Sequence, residues 1–138
     1  MLSHTHVGVN DFDRAFDFYS KIMGALGCPL KFLEPERPWA GWKPPDADRP
    51  LLVMGKPENG EPAMPGNGQM VALLAPSREV VDYCYGVAIA AGARPEGQPG
   101  LRPQYHPSFY GAYFRDPEGN KICVCCHMPK AVARGKTV

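Results

Sequence analysis

Residues 3–27 read SHTHVGVNDFDRAFDFYSKIMGALG, and the hydrophobic period of this segment changes partway along it. Its first residues, 3–9, alternate valine with polar or small residues, which predicts a strand. Asp11 can then cap a helix whose apolar side chains recur every three or four positions, and Gly27 can end that helix. The segment therefore predicts a strand followed by an amphipathic helix.

Three short apolar segments follow the predicted helix. They span residues 28–34, 37–43 and 50–55, and each is bounded by Pro, Gly or Asp, as strands joined by turns are. The first part of the chain is therefore predicted to form a β-α-β-β-β unit.

The second half of the chain repeats this order. Residues 69–75 predict a strand, Ser77 can cap a helix, and Gly92 can end it. Ser77 lies 66 positions after Asp11, and Gly92 lies 65 positions after Gly27. We infer an internal duplication, visible as a shared pattern rather than as residue identity.

The pattern is less regular after the second predicted helix. A Pro- and Gly-rich stretch runs to Arg102, and predicted strands follow it at 109–115 and 121–127. Residues 116–120, Asp-Pro-Glu-Gly-Asn, separate these two strands. Because Pro presets φ and Gly supplies a positive φ, this segment predicts a tight turn.

A chain of 138 residues fits a single domain. We predict a first module over residues 1–55, a linker over 56–68 and a second module over 69–128. Residues 129–138 are expected to be a flexible, solvated tail.

Composition excludes several classes of function. The formal charge of +1 gives no general attraction to nucleic acid or to an acidic membrane, so neither is expected as a partner. The chain has no apolar run of about 20 residues and no signal-peptide pattern at its start, which favours a cytoplasmic protein. Its 5 cysteines do not suit a disulfide framework, so reduced thiols are expected.

Several short motifs occur along the two predicted modules. They are LSHTHVGVNDFDRA at 2–15, FY at 18–19 and LG at 26–27, then Gly92, PGLRP at 99–103, YHP at 105–107 and RDPEGNKI at 115–122. Together with the duplicated pattern, they are similar to the vicinal oxygen chelate superfamily, which includes glyoxalase I, extradiol dioxygenases and bleomycin-resistance proteins. The second set resembles its small lactoylglutathione-lyase-like branch. The resemblance covers about residues 2–128.

This resemblance implies an α+β fold in which two βαβββ modules curl their mixed sheets into a cleft. It also implies a divalent metal ion (Zn, Ni, Fe or Mn) that is held by two histidines and a glutamate and acts as a Lewis acid. The matching positions here are His4, Met70 and Cys123, so two of the ligands are substituted. A thioether is a soft, neutral and weak donor to such ions, and an altered metal site is therefore expected.

Residue parity in the first and last strands leaves other interpretations open. His4 and His6 share one face of their strand, and Cys123, Cys125 and His127 share one face of theirs. If those faces meet, imidazoles and thiols would suit Cu(I) or Zn²⁺. The alternative is that the cysteines are buried as small hydrophobic residues. A further hypothesis is a thiol sensor that uses Cys123 and Cys125.

The Pro-punctuated segment 102–110 is the other place where chemistry is expected. Arg102 could clamp a carboxylate or a phosphate, and His106 titrates near neutral pH and could serve as an acid or a base. Alternatively, the segment is a polar rim that closes the cleft. Trp39 and Trp42 fall on opposite faces of their strand, so at least one of them is expected to pack in the core.

These observations define a predicted site and two possible functions. The candidates are His106, Tyr105 and Cys123 for catalysis and Arg102, Tyr110, His6 and Trp42 for substrate binding, beside the metal positions His4, Met70 and Cys123. The first possible function is a lyase- or dioxygenase-type reaction on a small polar organic molecule in the cleft. The second is metal-free binding or sequestration of the bleomycin-resistance type. The resemblance also implies a homodimer.

Overall fold

The computed structural model describes residues 1–130, so most of the predicted tail, 131–138, lies outside the described residues. The described chain contains two four-stranded sheets and two helices. In chain order the elements are β1 (His4–Gly8), α1 (Phe12–Ala25), β2 (Leu30–Glu34), β3 (Trp39–Trp42), β4 (Leu51–Gly55), β5 (Val71–Leu74), α2 (Arg78–Ala90), β6 (Arg94–Leu101), β7 (Tyr110–Arg115) and β8 (Lys121–Cys126). Neither helix is long and apolar enough to cross a membrane.

The two sheets have the same topology. Their strand orders are β1-β4-β3-β2 and β5-β8-β7-β6. In each sheet the first strand runs parallel to the last strand of its module, and the other neighbours are antiparallel. The predicted α+β fold of two βαβββ modules is therefore confirmed.

Both helices begin and end at the residues that the sequence indicated. The carboxylate of Asp11 accepts a hydrogen bond from the backbone N–H of Arg14 at 3.1 Å, and Ser77 Oγ accepts one from Val80 at 3.2 Å. These contacts satisfy N–H groups that have no partner within the first helical turn. Gly27 and Gly92 adopt φ values of 73° and 104°, a left-handed conformation that glycine reaches without a steric penalty.

One strand was missed by the residue pattern. The Pro- and Gly-rich stretch before Arg102 forms β6, which pairs antiparallel with β7. Its register shifts twice, between Pro95 and Gly97 and between Gly97 and Gly100. β6 lies at the edge of its sheet, where proline is tolerated because one side of the strand needs no hydrogen-bond partners. Pairing with β7, rather than strand propensity, accounts for this element.

The hydrophobic core lies between the helices and one face of each sheet. On β4 and β8 its members alternate with residues of the opposite face, which we call the distal face because it is turned away from the helices. The core joins the two modules, since the rings of Phe18 on α1 and Phe114 on β7 meet edge to face at 6.2 Å. The thiol of Cys84 on α2 donates to the carbonyl of Ile22 on α1 at 3.7 Å.

The predicted tight turn at 116–120 also ties the modules together. Asp116 is buried, and its carboxylate accepts the Tyr19 hydroxyl at 2.6 Å and the Asn120 side-chain amide at 2.9 Å. Glu118 accepts hydrogen bonds from the backbone N–H groups of Asn10 and Asp11, at 2.6 and 2.8 Å. A carboxylate is favoured there because the N-terminus of a helix carries partial positive charge. The turn therefore holds the junction between β1 and α1.

Candidate functional site

A pocket of about 310 Å³ lies between the two modules. Its walls come from β1, from the segment that joins the modules and from the starts of β5 and β8. The lining residues are His6, Val7, Gly8, Met64, Gly66, Gln69, Met70, Val71, Asn120, Lys121 and Ile122. The lining mixes apolar and polar side chains, and its exposed surface is more polar than apolar. Polar groups placed in a pocket of this size can orient a small ligand.

Asn120 is already engaged, because its side-chain amide donates to the Gly8 carbonyl at 3.1 Å and to Asp116. His6 is half-buried, and its pKa is lowered by burial, by the positive charge of Arg37 and by His4. The His6 imidazole is therefore neutral at neutral pH and offers one donor and one acceptor. Lys121 contributes the single formal charge among the lining residues.

A second pocket of about 390 Å³ adjoins the first on the distal face of the first module. It is lined by His6, Arg37, Trp39, Lys56, Pro57 and Glu58, and it shares His6 with the inter-module pocket. The Arg37 guanidinium lies 3.8 Å from the centre of the Trp39 ring. The two pockets together place cationic side chains on both sides of His6.

The three positions at which the resemblance implies metal ligands do not form a suitable donor set. His4 is exposed and its Nδ1 lies 2.9 Å from Ser3 Oγ. Met70 lines the inter-module pocket with a neutral thioether, whereas Cys123 is fully buried. The neighbouring Cys125 raises the pKa of Cys123, and burial raises it further. This position therefore offers a buried thiol in place of the carboxylate that the resemblance implies.

Within residues 1–130, no three His, Cys, Asp or Glu side chains are grouped so that they could hold a metal ion. The structure does bring Cys125 and His127 together, with Sγ and Nε2 separated by 3.8 Å, as their shared parity predicted. The other imidazole in contact with His127 is His106, however, and not His4 or His6 as the soft-metal hypothesis required. The residues present do not fit the divalent ion that the resemblance implies.

The segment that begins at Arg102 lies against the distal face of the second sheet. Arg102 donates to the Gln98 carbonyl at 2.7 Å, and its guanidinium lies 5.5 Å from the Tyr113 ring centre. His106 Nε2 lies 2.8 Å from His127 Nδ1. The Tyr105 ring is largely exposed and packs on Phe109, with ring centres 5.0 Å apart.

Two predicted substrate-binding residues, Trp42 and Tyr110, face the helices rather than the inter-module pocket. Trp42 is 3% exposed and stacks on Phe16 of α1 at 5.8 Å, so it belongs to the core. Tyr110 also faces the helices, and its hydroxyl donates to Asp82 of α2 at 2.6 Å. That hydrogen bond, with burial, raises the pKa of Tyr110 to about 12. Both residues share the parity of core residues on their own strands, which explains their position.

Sequence reasoning missed two aromatic residues on the distal face of the second module. Tyr113 lies beside Cys123, and its pKa is raised to about 12, first by burial and then by Cys123. Phe109 packs on the His127 ring at 5.2 Å. The signal for Tyr113 was its alternation with buried Ala112 along β7, whereas the position of Phe109 depends on how the segment before β7 folds back.

Comparisons with known proteins agree with this architecture. A family model described as Glyoxalase/Bleomycin resistance protein/Dioxygenase superfamily matches residues 1–124. A crystal structure of a glyoxalase/bleomycin resistance protein from Albidiferax ferrireducens is 34% identical, with a TM-score of 0.82. That match covers 91% of this chain and 98% of the other.

More distant structures share the fold. A lactoylglutathione lyase from Agrobacterium tumefaciens is 21% identical, with a TM-score of 0.63, over 91% of this chain and 92% of its own. An antibiotic-binding protein from Streptomyces is 23% identical, with a TM-score of 0.62, over 93% of this chain and 96% of its own. A search of curated proteins gives no significant match.

Proposed function

Because this chain belongs to the glyoxalase/bleomycin resistance protein/dioxygenase superfamily, we propose that it binds a small organic anion between its two modules without using a divalent metal ion. One observation carries this proposal. His6, Gln69 and Lys121 line a common pocket, while Met70 and Cys123 occupy positions where the family resemblance implies ligands. The polar side chains can orient a ligand, but the donor set cannot supply Lewis-acid chemistry of the expected kind.

The charges around the pocket favour an anionic ligand. Lys121 supplies an ammonium group, and the lowered pKa of His6, caused in part by Arg37, reflects positive potential on the other side of the pocket. A carboxylate would pair with Lys121 and accept a hydrogen bond from neutral His6. An apolar body would then lie against Met64 and Met70, which line the pocket and are exposed. Such a ligand would contact both the polar and the apolar side chains of the pocket.

The distant neighbours support a binding role only through the fold that they share. One is named as an antibiotic-binding protein and another as a lactoylglutathione lyase, so this architecture houses both kinds of function. The lyase- or dioxygenase-type reaction predicted from the sequence remains a prediction for this chain. The homodimer also remains a prediction, which sedimentation equilibrium measures directly.

The test is a thermal-shift screen of chelator-treated protein with small carboxylic acids and their uncharged amides. A ligand at 100 times its Kd stabilises the native state by about 2.7 kcal/mol, which raises the melting temperature by several degrees. We expect at least one acid to produce this shift while its amide does not. Lys121→Met should abolish the shift. Lys21→Met is the matched control, because Lys21 is exposed and pairs with Asp17 on the same helix at 2.9 Å.

Two results would overturn the proposal. The first is a ligand response that appears only after Zn, Ni, Fe or Mn is added back. The second is purified protein that holds about one equivalent of metal and melts several degrees lower once the metal is removed. Either result would favour the lyase- or dioxygenase-type alternative.

A further inference from the structure

The inter-module pocket and the pocket on the distal face of the first module are contiguous. His6 belongs to both linings. Gly8 lies on the same face of β1 as His6, and a Cβ atom placed on Gly8 would lie 3.9 Å from Pro57 Cγ. Gly8 lines the inter-module pocket and Pro57 lines the other, so the two linings approach each other at a second point. We call the two pockets together the groove.

The volumes of the two pockets suit a ligand that occupies both of them. The inter-module pocket measures about 310 Å³ and its neighbour about 390 Å³. Small-molecule sites commonly measure about 300–1,000 Å³, so each pocket alone lies near the lower limit. A compact ligand would fill one pocket, whereas an elongated ligand would extend past His6 and fill the groove.

Two cationic side chains lie at the end of the groove that belongs to the first module. Arg37 precedes β3 and Lys56 follows β4, and the backbone N–H of Lys56 donates to the Pro38 carbonyl at 3.3 Å. This hydrogen bond holds the two segments at the same end of the sheet. The Arg37 guanidinium lies over the Trp39 ring, and a guanidinium held in this way still presents its fork of N–H donors to a carboxylate.

Positive charge exceeds negative charge at this end of the groove. Among residues 1–130, neither Arg37 nor Lys56 forms an ion pair. Glu58 also lines the pocket, and two cations against one carboxylate leave an excess of one positive charge. Lys56 borders a further pocket that contains Asp11 and Asp13, so Arg37 is the principal cation here.

We propose that the ligand is an elongated organic dianion with an anionic group at each end, an inference that rests on the ligand binding proposed above. One anionic group pairs with Lys121 in the inter-module pocket, and the other pairs with Arg37, assisted by Lys56. The carbon chain between them passes His6, which both pockets share. Because Lys121 and Arg37 lie on opposite sides of His6, a dianion that is too short can pair with only one of them.

The test is isothermal titration calorimetry of the full-length chain with linear dicarboxylic acids of increasing length, at neutral pH and low ionic strength. Each diacid is compared with its own monoamide, which has the same length but a single charge. At least one diacid should bind about tenfold more tightly than its monoamide, or about 1.4 kcal/mol, because only the diacid can also pair with Arg37. This advantage should be greatest at one chain length.

Variants at the first-module end identify the group that binds the second anion. Arg37→Met should reduce the advantage of the diacid to less than about twofold, and Lys56→Met should reduce it by a smaller factor. Glu58→Gln should increase the advantage, because it removes the opposing charge. Arg14→Met is the matched control and should preserve the affinities of both compounds, since Arg14 is exposed on α1 and lines neither pocket.

The outcomes separate this proposal from the proposed function. If monoamides bind and no diacid binds more tightly than its own monoamide, the second anionic group has no partner and this proposal is wrong, while the proposed function stands. If the advantage survives in both Arg37→Met and Lys56→Met, the assignment to the groove is wrong. Lys121→Met should weaken diacid and monoamide alike, because both use the inter-module pocket. If no acid binds to the unmodified chain, the proposed function fails and this proposal fails with it.

Discussion

The distal faces of the two modules carry opposite arrangements at the same place in the fold. In the first module, Trp39 on β3 pairs with Gly55 on β4. In the second module, Gly111 on β7 pairs with Cys125 on β8. In the first module the glycine is on the last strand, whereas in the second module it is on the strand before it. The last strand of the second module therefore presents the thiol of Cys125 where the first module has Gly55.

The helix-facing sides of the same strands differ much less. β4 presents Leu52 and Met54 to the core, and β8 presents Ile122 and Val124, all buried. Any residue on these sides must fill space against a helix, which limits it to hydrophobic side chains of suitable volume. The distal faces are free of that requirement. Duplication has therefore preserved the packing, and the chemistry has diverged on the other side of each sheet.

The turns between the last two strands of each module differ in the same way. In the second module this turn contains buried Asp116, which accepts four hydrogen bonds from Tyr19, Glu118 and Asn120. In the first module the connection spans residues 43–50, and Asp48 within it is exposed. Only the second turn holds the two modules together.

The largest predicted effect comes from replacing Asp116, the residue that distinguishes the two turns. Asp116→Ala should lower the free energy of unfolding by about 3–5 kcal/mol, because it leaves the Tyr19 hydroxyl and several N–H groups buried without a partner. Urea denaturation measures this loss. Asp48→Ala is the matched control and should change the stability by less than about 0.5 kcal/mol. Similar losses in the two variants would contradict the role assigned to the Asp116 turn.

The next prediction compares Gly55 of β4 with Gly111 of β7, the glycines of the two strand pairs described above. A Cβ on Gly55 would lie 2.8 Å from the Pro38 carbonyl oxygen and 3.0 Å from the Trp39 Cα, so backbone must move. At Gly111 the closest atom belongs to the Phe109 ring, which can turn aside. Gly55→Ala should therefore cost about 3 kcal/mol and Gly111→Ala about 1 kcal/mol, measured by urea denaturation.

Gly111→Ala has a second readout, because it displaces the Phe109 ring from Cys125. Alkylation of Cys125 by iodoacetamide, quantified by mass spectrometry of the modified peptide, should become faster in this variant, since the thiol is less covered. A slower reaction would show that the ring does not limit access. The Gly55→Ala variant should leave the Cys125 rate unchanged, because it alters the other module.

The smallest predicted effect concerns pH and the first module alone. Since burial and the charge of Arg37 lower the pKa of His6 in the native state, the unfolded chain binds a proton more readily than the folded chain does. The stability is therefore fully present above the unfolded pKa of 6.5 and declines as the pH falls from there through the lower folded pKa. In His6→Gln this part of the pH dependence should disappear, as urea denaturation between pH 7 and pH 5 would show.

Some features of the candidate site were predictable, and others were not. Parity along β8 placed Cys123, Cys125 and His127 on one face, and the structure brings the last two together. The same rule applied to β7 separates Tyr113, which lies on the distal face, from Tyr110, which faces the helices. No local pattern indicated that His106 would reach His127, because these two residues are brought together by a segment that folds over a neighbouring strand.

The sequence by itself determined the two helices, the order of the other strands and the duplicated pattern. The helix caps, the glycines that end the helices and the period of the apolar residues are local properties, so they can be read directly from the sequence. The caps are Asp11 and Ser77, and the glycines are Gly27 and Gly92. Only the tertiary structure decided which polar groups meet. The inter-module pocket, the contact between His106 and His127 and the strand β6 all depend on contacts between segments that are separated in the chain. Such contacts are selected by packing and pairing rather than by the residues of either segment.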